Sequence, residues 1–352
     1  MEGRSVLADA VIGPHSVLTG WVFDVIERLS NVAKQRPIIR IDRFDAVEFF
    51  ADPCPVYLTN YPGNRLIQAI AAGDVRSTVI LEDPLDVGDY LSRALGIDPL
   101  ETIRSQTASA VANLEIGRSE QVYFVDRMTE KPAGRIVIEL DRHLDFKTPP
   151  AKLADVIGMV TFGLGPEAIL EDVLVNNDAH YAPSLRRHGK AKVSELQLAS
   201  LQVIEPLLAM ARGDTFRPVV WPNIVFKFAD DPDNAPPQEA EIGGPSRVLF
   251  YGPYLYLPPA RYRAESVLYF SEEITDVPFI VEFHCGTLLA RARIEKQRAG
   301  AYRGYCLIDH RDATSTVEVR IRNEQGVEHG RLSLIELLFF VEPDVETGRE
   351  RG

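Results

Sequence analysis

Thr78-Val79-Ile80-Leu81-Glu82-Asp83-Pro84-Leu85-Asp86-Val87 holds the transition on which the fold turns. Its first four residues form a continuous apolar run, the pattern of a strand buried on both faces of a parallel sheet. Pro84 then opens a helix, at the one helical position where a missing N–H costs nothing.

Working outward, the same alternation recurs. Ser5 to Ile12 predicts a strand, and Ser16 to Val32 a helix with Val17, Trp21, Val25 and Leu29 near helical spacing. Pro37–Ile41 and Val56–Thr59 predict strands, the latter followed by a helix opening at Gly63-Asn64. Gln121–Val125 and Arg135–Leu140 are expected as further strands. Strands alternating with helices imply an α/β fold around a mostly parallel sheet. Residues 151–213 look helical, with a turn at Gly163-Leu164-Gly165-Pro166. Ser194 with Gln197 forms a capping box, and Pro206 is expected to kink or end the helix that follows.

Asp230-Asp231-Pro232-Asp233-Asn234-Ala235-Pro236-Pro237 is acidic and proline-rich and reads as a linker. Beyond Gly243 the character changes. Arg247–Leu257, Tyr262–Phe270, Phe279–Cys285, Leu288–Ile294, Gly304–Ile308, Thr316–Ile321 and Leu332–Val341 are short β-type runs parted by Gly, Pro and Asp. Such a series predicts a β-sandwich or jelly roll. The expected division is an α/β domain over 1–229, a linker over 230–243 and a sandwich over 244–345.

Composition sets the limits. The chain has 352 residues, 45% hydrophobic and 25% charged, which is globular and long enough for two domains. A net charge of −13 disfavours nucleic acid as a partner, although a local basic patch stays open. Cys54, Cys285 and Cys306 include no CxxC pair, so zinc is not expected, and buried free thiols are expected over a Cys285–Cys306 bridge. Met1-Glu2-Gly3-Arg4 does not open a signal peptide, and no long uncharged apolar stretch is present. A cytoplasmic protein is the expectation. GxSxG, HExxH and GxxxxGK[ST] are all absent, and His143 between Asp141 and Asp145 reads as a solvated loop.

Four segments, taken in order, resemble the sulfotransferase family, a P-loop-like α/β fold that uses PAPS as sulfate donor. Pro14-His15-Ser16-Val17-Leu18-Thr19 stands where the family has its phosphosulfate loop, Thr59-Asn60-Tyr61-Pro62 where it has Thr-His-x-Pro, and Val79–Val87 where it has a strand ending Arg-Asn-Pro-x-Asp-Val. Arg186-Arg187-His188-Gly189-Lys190 is similar to its late Arg-x-Gly phosphate loop. The resemblance covers residues 5–213. It implies Ser16, Thr19, Arg187 and Lys190 as cofactor-binding residues, with Asp86 also matched. The departures fall on the chemistry. Val17 replaces the loop glycine, Asn60 the catalytic His, Glu82 the Arg that binds the 3′-phosphate, and Tyr90 a supporting Ser. An amide cannot take a proton at neutral pH, and Glu82 sets like charge against phosphate. Ser16 is equally an N-cap, and Asp86 equally a helix-start acid. His15 marks the same cleft, as a substitute base or phosphate contact or as an incidental loop residue.

Phe250-Tyr251-Gly252-Pro253-Tyr254-Leu255-Tyr256-Leu257-Pro258-Pro259-Ala260-Arg261-Tyr262 looks like the entry to sandwich modules attached to bacterial glycan enzymes. Tyr251, Tyr254 and Tyr256 are its expected glycan-binding residues, since a tyrosine ring stacks on a sugar while its hydroxyl stays wet. Alternation places Tyr254 and Tyr256 on one face; the other reading has these rings packing at strand edges. Asp309, His310, Arg311 and Asp312 form a polar loop beside them. The expectation is a degenerate sulfotransferase-like domain joined to a glycan-recognising sandwich, acting in bacterial surface-polysaccharide metabolism. No cofactor is expected beyond PAPS through the resemblance, and a protein partner is open. An active sulfo- or other group transferase with a divergent loop, and a structural or partner-binding protein, are the alternatives.

Overall fold

The computed structural model describes residues 8–33, 36–41, 54–60, 62–181, 194–274, 277–295 and 298–343. The chain divides into two compact units, Met1–Thr102 with Ala112–Lys192, and Ile103–Val111 with Val193–Gly352.

The first unit is α/β. Five parallel strands, β1 (Ala8–Ile12), β2 (Ile38–Ile41), β3 (Val56–Thr59), β4 (Val75–Leu81) and β5 (Val122–Asp126), lie in the order β2-β3-β1-β4-β5. Ala8, Ala10, Val11, Val79, Ile80 and Leu81 are all buried, as expected for strands covered on both faces. The connecting helices are α1 (Val17–Ala33), α2 (Asn64–Ala71), α3 (Pro84–Asp89), which continues as a π-turn over Tyr90–Ala94, and α4 (Pro99–Ile116), whose residues Ile103–Val111 belong to the second unit. After β5 come α5 (Ala133–His143), α6 (Pro150–Val160), α7 (Leu170–Asn176) and α8 (Asp178–Tyr181). Helix α1 buries Leu18, Trp21, Val22, Val25, Ile26 and Leu29 on one face, against α5 to α7. Burial of each such side chain contributes about 1.5–3 kcal/mol. Trp21 also donates its indole N–H to Val160 O at 2.9 Å.

The second unit also holds α9 (Glu195–Ala211), capped as expected by the reciprocal Ser194–Gln197 pair. The sandwich has two mainly antiparallel sheets. One has the order β13-β10-β15-β6, from β13 (Gly300–His310), β10 (Ala260–Phe270), β15 (Arg331–Val341) and β6 (Val219–Pro222), with β8 (Ala240–Glu241) also on β15. The other has the order β12-β11-β14-β9-β7, from β12 (Thr287–Glu295), β11 (Pro278–Cys285), β14 (Val317–Asn323), β9 (Val248–Leu255) and β7 (Lys227–Phe228). Their inner faces meet through Phe270 against Phe279, with ring centres 4.7 Å apart, and Phe283 against Phe339 at 6.2 Å. All seven β-runs expected after Gly243 are strands.

Four local expectations give way. Arg135–Leu140 lies in α5, not in a strand, because Ile136, Val137 and Leu140 share one buried helical face. His143 therefore ends a helix; its ring bonds Ser77 O at 2.9 Å and is not in a solvated loop. Pro206 does not end α9, which runs on to Ala211 with Leu207 and Leu208 buried. Residues 230–243 carry β8, and β6 and β7 precede them in the sandwich sheets, so the sandwich strands begin at Val219 and not at 244. The acidic stretch is pinned by Arg247, whose guanidinium holds both oxygens of Asp230 at 3.1 and 2.6 Å. No disulfide forms among the described residues, and the three cysteines are half-buried. Among the described residues, no helix is long and apolar enough to cross a membrane, and no group of three or more His, Cys, Asp or Glu is placed to hold a metal.

Candidate functional site

The loop between β1 and α1 lies at the centre of the parallel sheet, where β3 and β4 flank β1 on either side. This is the switch point at which open α/β sheets bind ligands. Gly13 is required there, because a Cβ would meet Thr19 Oγ1 at 2.5 Å and the Ile80 side chain at 2.8 Å. Ser16 Oγ accepts from Thr19 N–H at 3.0 Å and donates to Thr19 Oγ1 at 3.1 Å. Ser16 is thus the N-cap of α1, and its hydroxyl is spent on the chain itself.

The first three segments of the sulfotransferase resemblance converge on this loop. Asn60, just past β3, donates its amide to Gly13 O at 2.8 Å. Glu82, just past β4, has its carboxylate fully buried. It accepts from Leu18 N–H at 3.2 Å and from Asp83 N–H at 3.0 Å. His15 stacks parallel to Tyr90, ring centres 5.7 Å apart. Arg187 and Lys190 lie outside the described residues.

A carboxylate therefore sits at the N-terminus of α1, where a helix offers free N–H groups and the positive end of its dipole to an anion. Arg127, just past β5, is the counter-ion: it lies 3.5 Å from Glu82 and 3.6 Å from Asp86, and bonds Glu171 through both carboxylate oxygens at 2.6 and 3.0 Å. Burial pushes the Glu82 carboxyl up to about 7, against the opposing pull of Arg127 and the Asp83 N–H. Burial also raises Asp86. One guanidinium shared among three carboxylates leaves the proton on Glu82 the easiest to retain.

In the sandwich, the three expected tyrosines have different surroundings. Tyr251, in β9, is half-buried, and its strand neighbours are Lys227 and Arg320. Tyr254 takes φ +62° at a bulge, where Pro253 pairs with Glu318 and Leu255 with Val317. Its hydroxyl donates to Glu318 Oε1 at 2.9 Å, and the Arg104 guanidinium lies 5.2 Å from its ring centre. Burial, with the Glu318 bond second, pushes that hydroxyl up to about 12. Tyr256 follows the end of β9, and its backbone N–H donates to Thr107 Oγ1 at 3.3 Å. The expected alternation through 254–256 stops at the left-handed residue, so strand geometry does not pair these two rings. The polar loop nearby is also internally committed. His310 is fully buried on Leu257 O, Arg311 pairs with Asp309, and Asp312 is held down to about 2 by donors from Ser315 and Thr314.

Around Tyr251 the register builds a polar row that sequence inspection missed. Lys227, Tyr251, Arg320, Glu282 and Arg291 are successive cross-strand partners over β7, β9, β14, β11 and β12. Val317, Val319 and Ile321 of β14 point into the core, so Glu318, Arg320 and Arg322 point outward. Arg320 grips Glu318 through two bonds of 2.8 Å, and His284 Nε2 lies 3.5 Å from Glu282. Burial works against the Glu318 charge, but donors from Arg320 and Tyr254 outweigh it and hold the carboxyl low. The alternation in Val317-Glu318-Val319-Arg320-Ile321-Arg322 was the available signal for this face. The sandwich's other outer face carries Tyr305, 67% exposed on β13, which no motif singled out.

No family model and no curated protein matches the chain. Solved structures similar to part of it include an arabinose-bound α-L-arabinofuranosidase, MgGH51, at 10% identity and a TM-score of 0.23, covering 28% of this chain and 18% of that one. TmCBM61 in complex with β-1,4-galactotriose is similar at 12% identity and a TM-score of 0.21, covering 35% and 82%. The EclA C-terminal domain, a sugar-binding protein, is similar at 13% identity and a TM-score of 0.21, covering 30% and 80%. The chain thus spans under a fifth of the arabinofuranosidase. Likenesses at these TM-scores carry no inference about what this protein binds.

Proposed function

We propose that the protein recognises a glycan through its sandwich, and that its α/β unit, although sulfotransferase-like in its loops, does not transfer sulfate from PAPS. The observation that carries the glycan reading is the row centred on Tyr251. It places an aromatic ring beside outward-facing donors and acceptors on a broad sheet face, which suits the alternating apolar and hydroxyl surfaces of a sugar. The α/β half of the reading is supported by Glu82, whose carboxylate already holds the anion position, and by Asn60, whose amide has no basic lone pair. Bacterial surface-polysaccharide metabolism is the setting this reading fits.

Two measurements on the full chain test it. A glycan array should retain the parent protein and lose signal with Tyr251→Ala, whose fold is checked by thermal melting. Calorimetric titration with PAPS should show binding no tighter than about millimolar, roughly −4 kcal/mol. Micromolar PAPS affinity would overturn the α/β half, and an array without any retained glycan would overturn the other.

A further inference from the structure

We infer that the saccharide taken by the Tyr251 face is acidic, carrying carboxylate or sulfate groups. This rests on the glycan reading and narrows its ligand class. Around Tyr251, the cations Lys227, Arg291, Arg320 and Arg322 share the face with two carboxylates, Glu282 and Glu318. The surplus is positive, on a protein whose net charge is −13.

The way these charges are spent matters more than their number. Arg320 is committed to Glu318. Arg293, the next outward residue of β12, is matched by Glu295 and Glu324, the latter at 2.8 Å. Lys227, Arg291 and Arg322, by contrast, form no ion pair with a carboxylate among the described residues. Arg322 Nε is buried and has no hydrogen-bond acceptor. An unsatisfied buried N–H of a cation is costly, and turning the half-buried Arg322 side chain onto an incoming oxyanion supplies the missing acceptor. A guanidinium fork matches the planar oxygens of a carboxylate or sulfate better than it matches a hydroxyl.

Geometry favours a saccharide over a nucleic acid. At about 4.8 Å between strands, the row from β7 to β12 spans roughly 19 Å, room for several sugar rings. Glu282 stands within it and Glu318 beside it, two residues along β14 from Arg320. They would repel a duplex or strand with a phosphate at every step, whereas spaced acidic groups can lie on the arginines while hydroxyls donate to the two carboxylates.

The test is affinity of the full chain for four probes: an oligogalacturonate, a chondroitin sulfate oligosaccharide, neutral maltohexaose and single-stranded DNA. The expected result is binding of one or both acidic saccharides at least about tenfold tighter than maltohexaose and DNA, a contribution of the size expected for charge-assisted bonds. Added salt should weaken it. Arg322→Gln and the more exposed Arg291→Gln should each lower acidic-saccharide affinity severalfold, with melting curves run on both. Equal or tighter binding of maltohexaose would overturn the acidic preference and leave the glycan reading standing. Absence of binding to all three saccharides would overturn both. DNA binding as tight as that of the acidic saccharides would make the face a general polyanion site, against the inference. Acidic-saccharide affinity unchanged in both arginine variants would remove it from this face.

Discussion

The Glu82 carboxylate accepts a 3.2 Å hydrogen bond from the backbone N–H of Leu18, in the first turn of α1. A side chain from the end of β4 thereby occupies the helix N-terminus that a phosphate loop keeps for its ligand. Arg127 balances it from the end of β5.

That contact makes stability depend on pH. Burial raises the native carboxyl of Glu82 from 4.5 to about 7, so the folded state binds this proton more tightly than the unfolded chain. Its contribution is full below about pH 4.5 and is lost as pH rises through 7, by up to about 3 kcal/mol. Glu82→Gln keeps an acceptor for Leu18 N–H and removes the titration. Urea unfolding at pH 5 and pH 8 should show the parent losing stability relative to the variant on going to pH 8. An unchanged difference would place the Glu82 pKa elsewhere.

Asp9 is fully buried in β1 and accepts two bonds of 2.8 Å from Arg76, with Arg36 as a second cation on the same carboxylate. Removing one member of such a cluster leaves buried charge uncompensated. Asp9→Ala should cost about 3–5 kcal/mol in chemical denaturation. Arg76→Met should cost less, because Arg36 still faces the carboxylate. A loss under about 1 kcal/mol for Asp9→Ala would mean that water compensates both arginines.

The 230–243 stretch is held by Arg247, which bonds Asp230 and also the backbone oxygens of Ile242, Gly243 and Pro245. Limited proteolysis of the parent should therefore spare this stretch despite its composition. Arg247→Ala should open it to cleavage, since local protection follows the hydrogen bonds that tie the backbone down. Rapid cleavage of the parent between 230 and 243 would restore the linker.

Tyr254 combines a left-handed backbone, a hydroxyl on Glu318 and a ring against Arg104. Tyr254→Phe should cost about 1–2 kcal/mol, the scale of a bond to a charged acceptor. Tyr254→Ala should cost more by losing the cation–π contact too. Tyr254→Gly should recover about 1 kcal/mol relative to Ala, since glycine adopts φ +62° without a Cβ clash. Thermal melts of the three variants order these effects; an Ala variant at least as stable as the Gly variant would count against them.

Much was settled by the sequence alone. Pro84 at a helix start, the Ser194–Gln197 capping box, the helical face of α1 and the seven strands after Gly243 all depend on residues within a few positions of one another. Capping, proline geometry and hydrophobic period are local, so they can be read from the chain. Arg135–Leu140 shows the limit: Ile136-Val137-Ile138 favours a strand by propensity, but burial of Ile136, Val137 and Leu140 together selects a helix. Tertiary structure decided the rest. Glu82 reads in sequence only as an acid after a strand, and only the juxtaposition of β4 with α1 brings its carboxylate to the helix N-terminus. Lys227, Tyr251, Arg320, Glu282 and Arg291 come from five strands, and none predicts the others from its own neighbourhood. Their row exists because strand order and register bring distant residues together, and sheet pairing leaves no mark within any one strand.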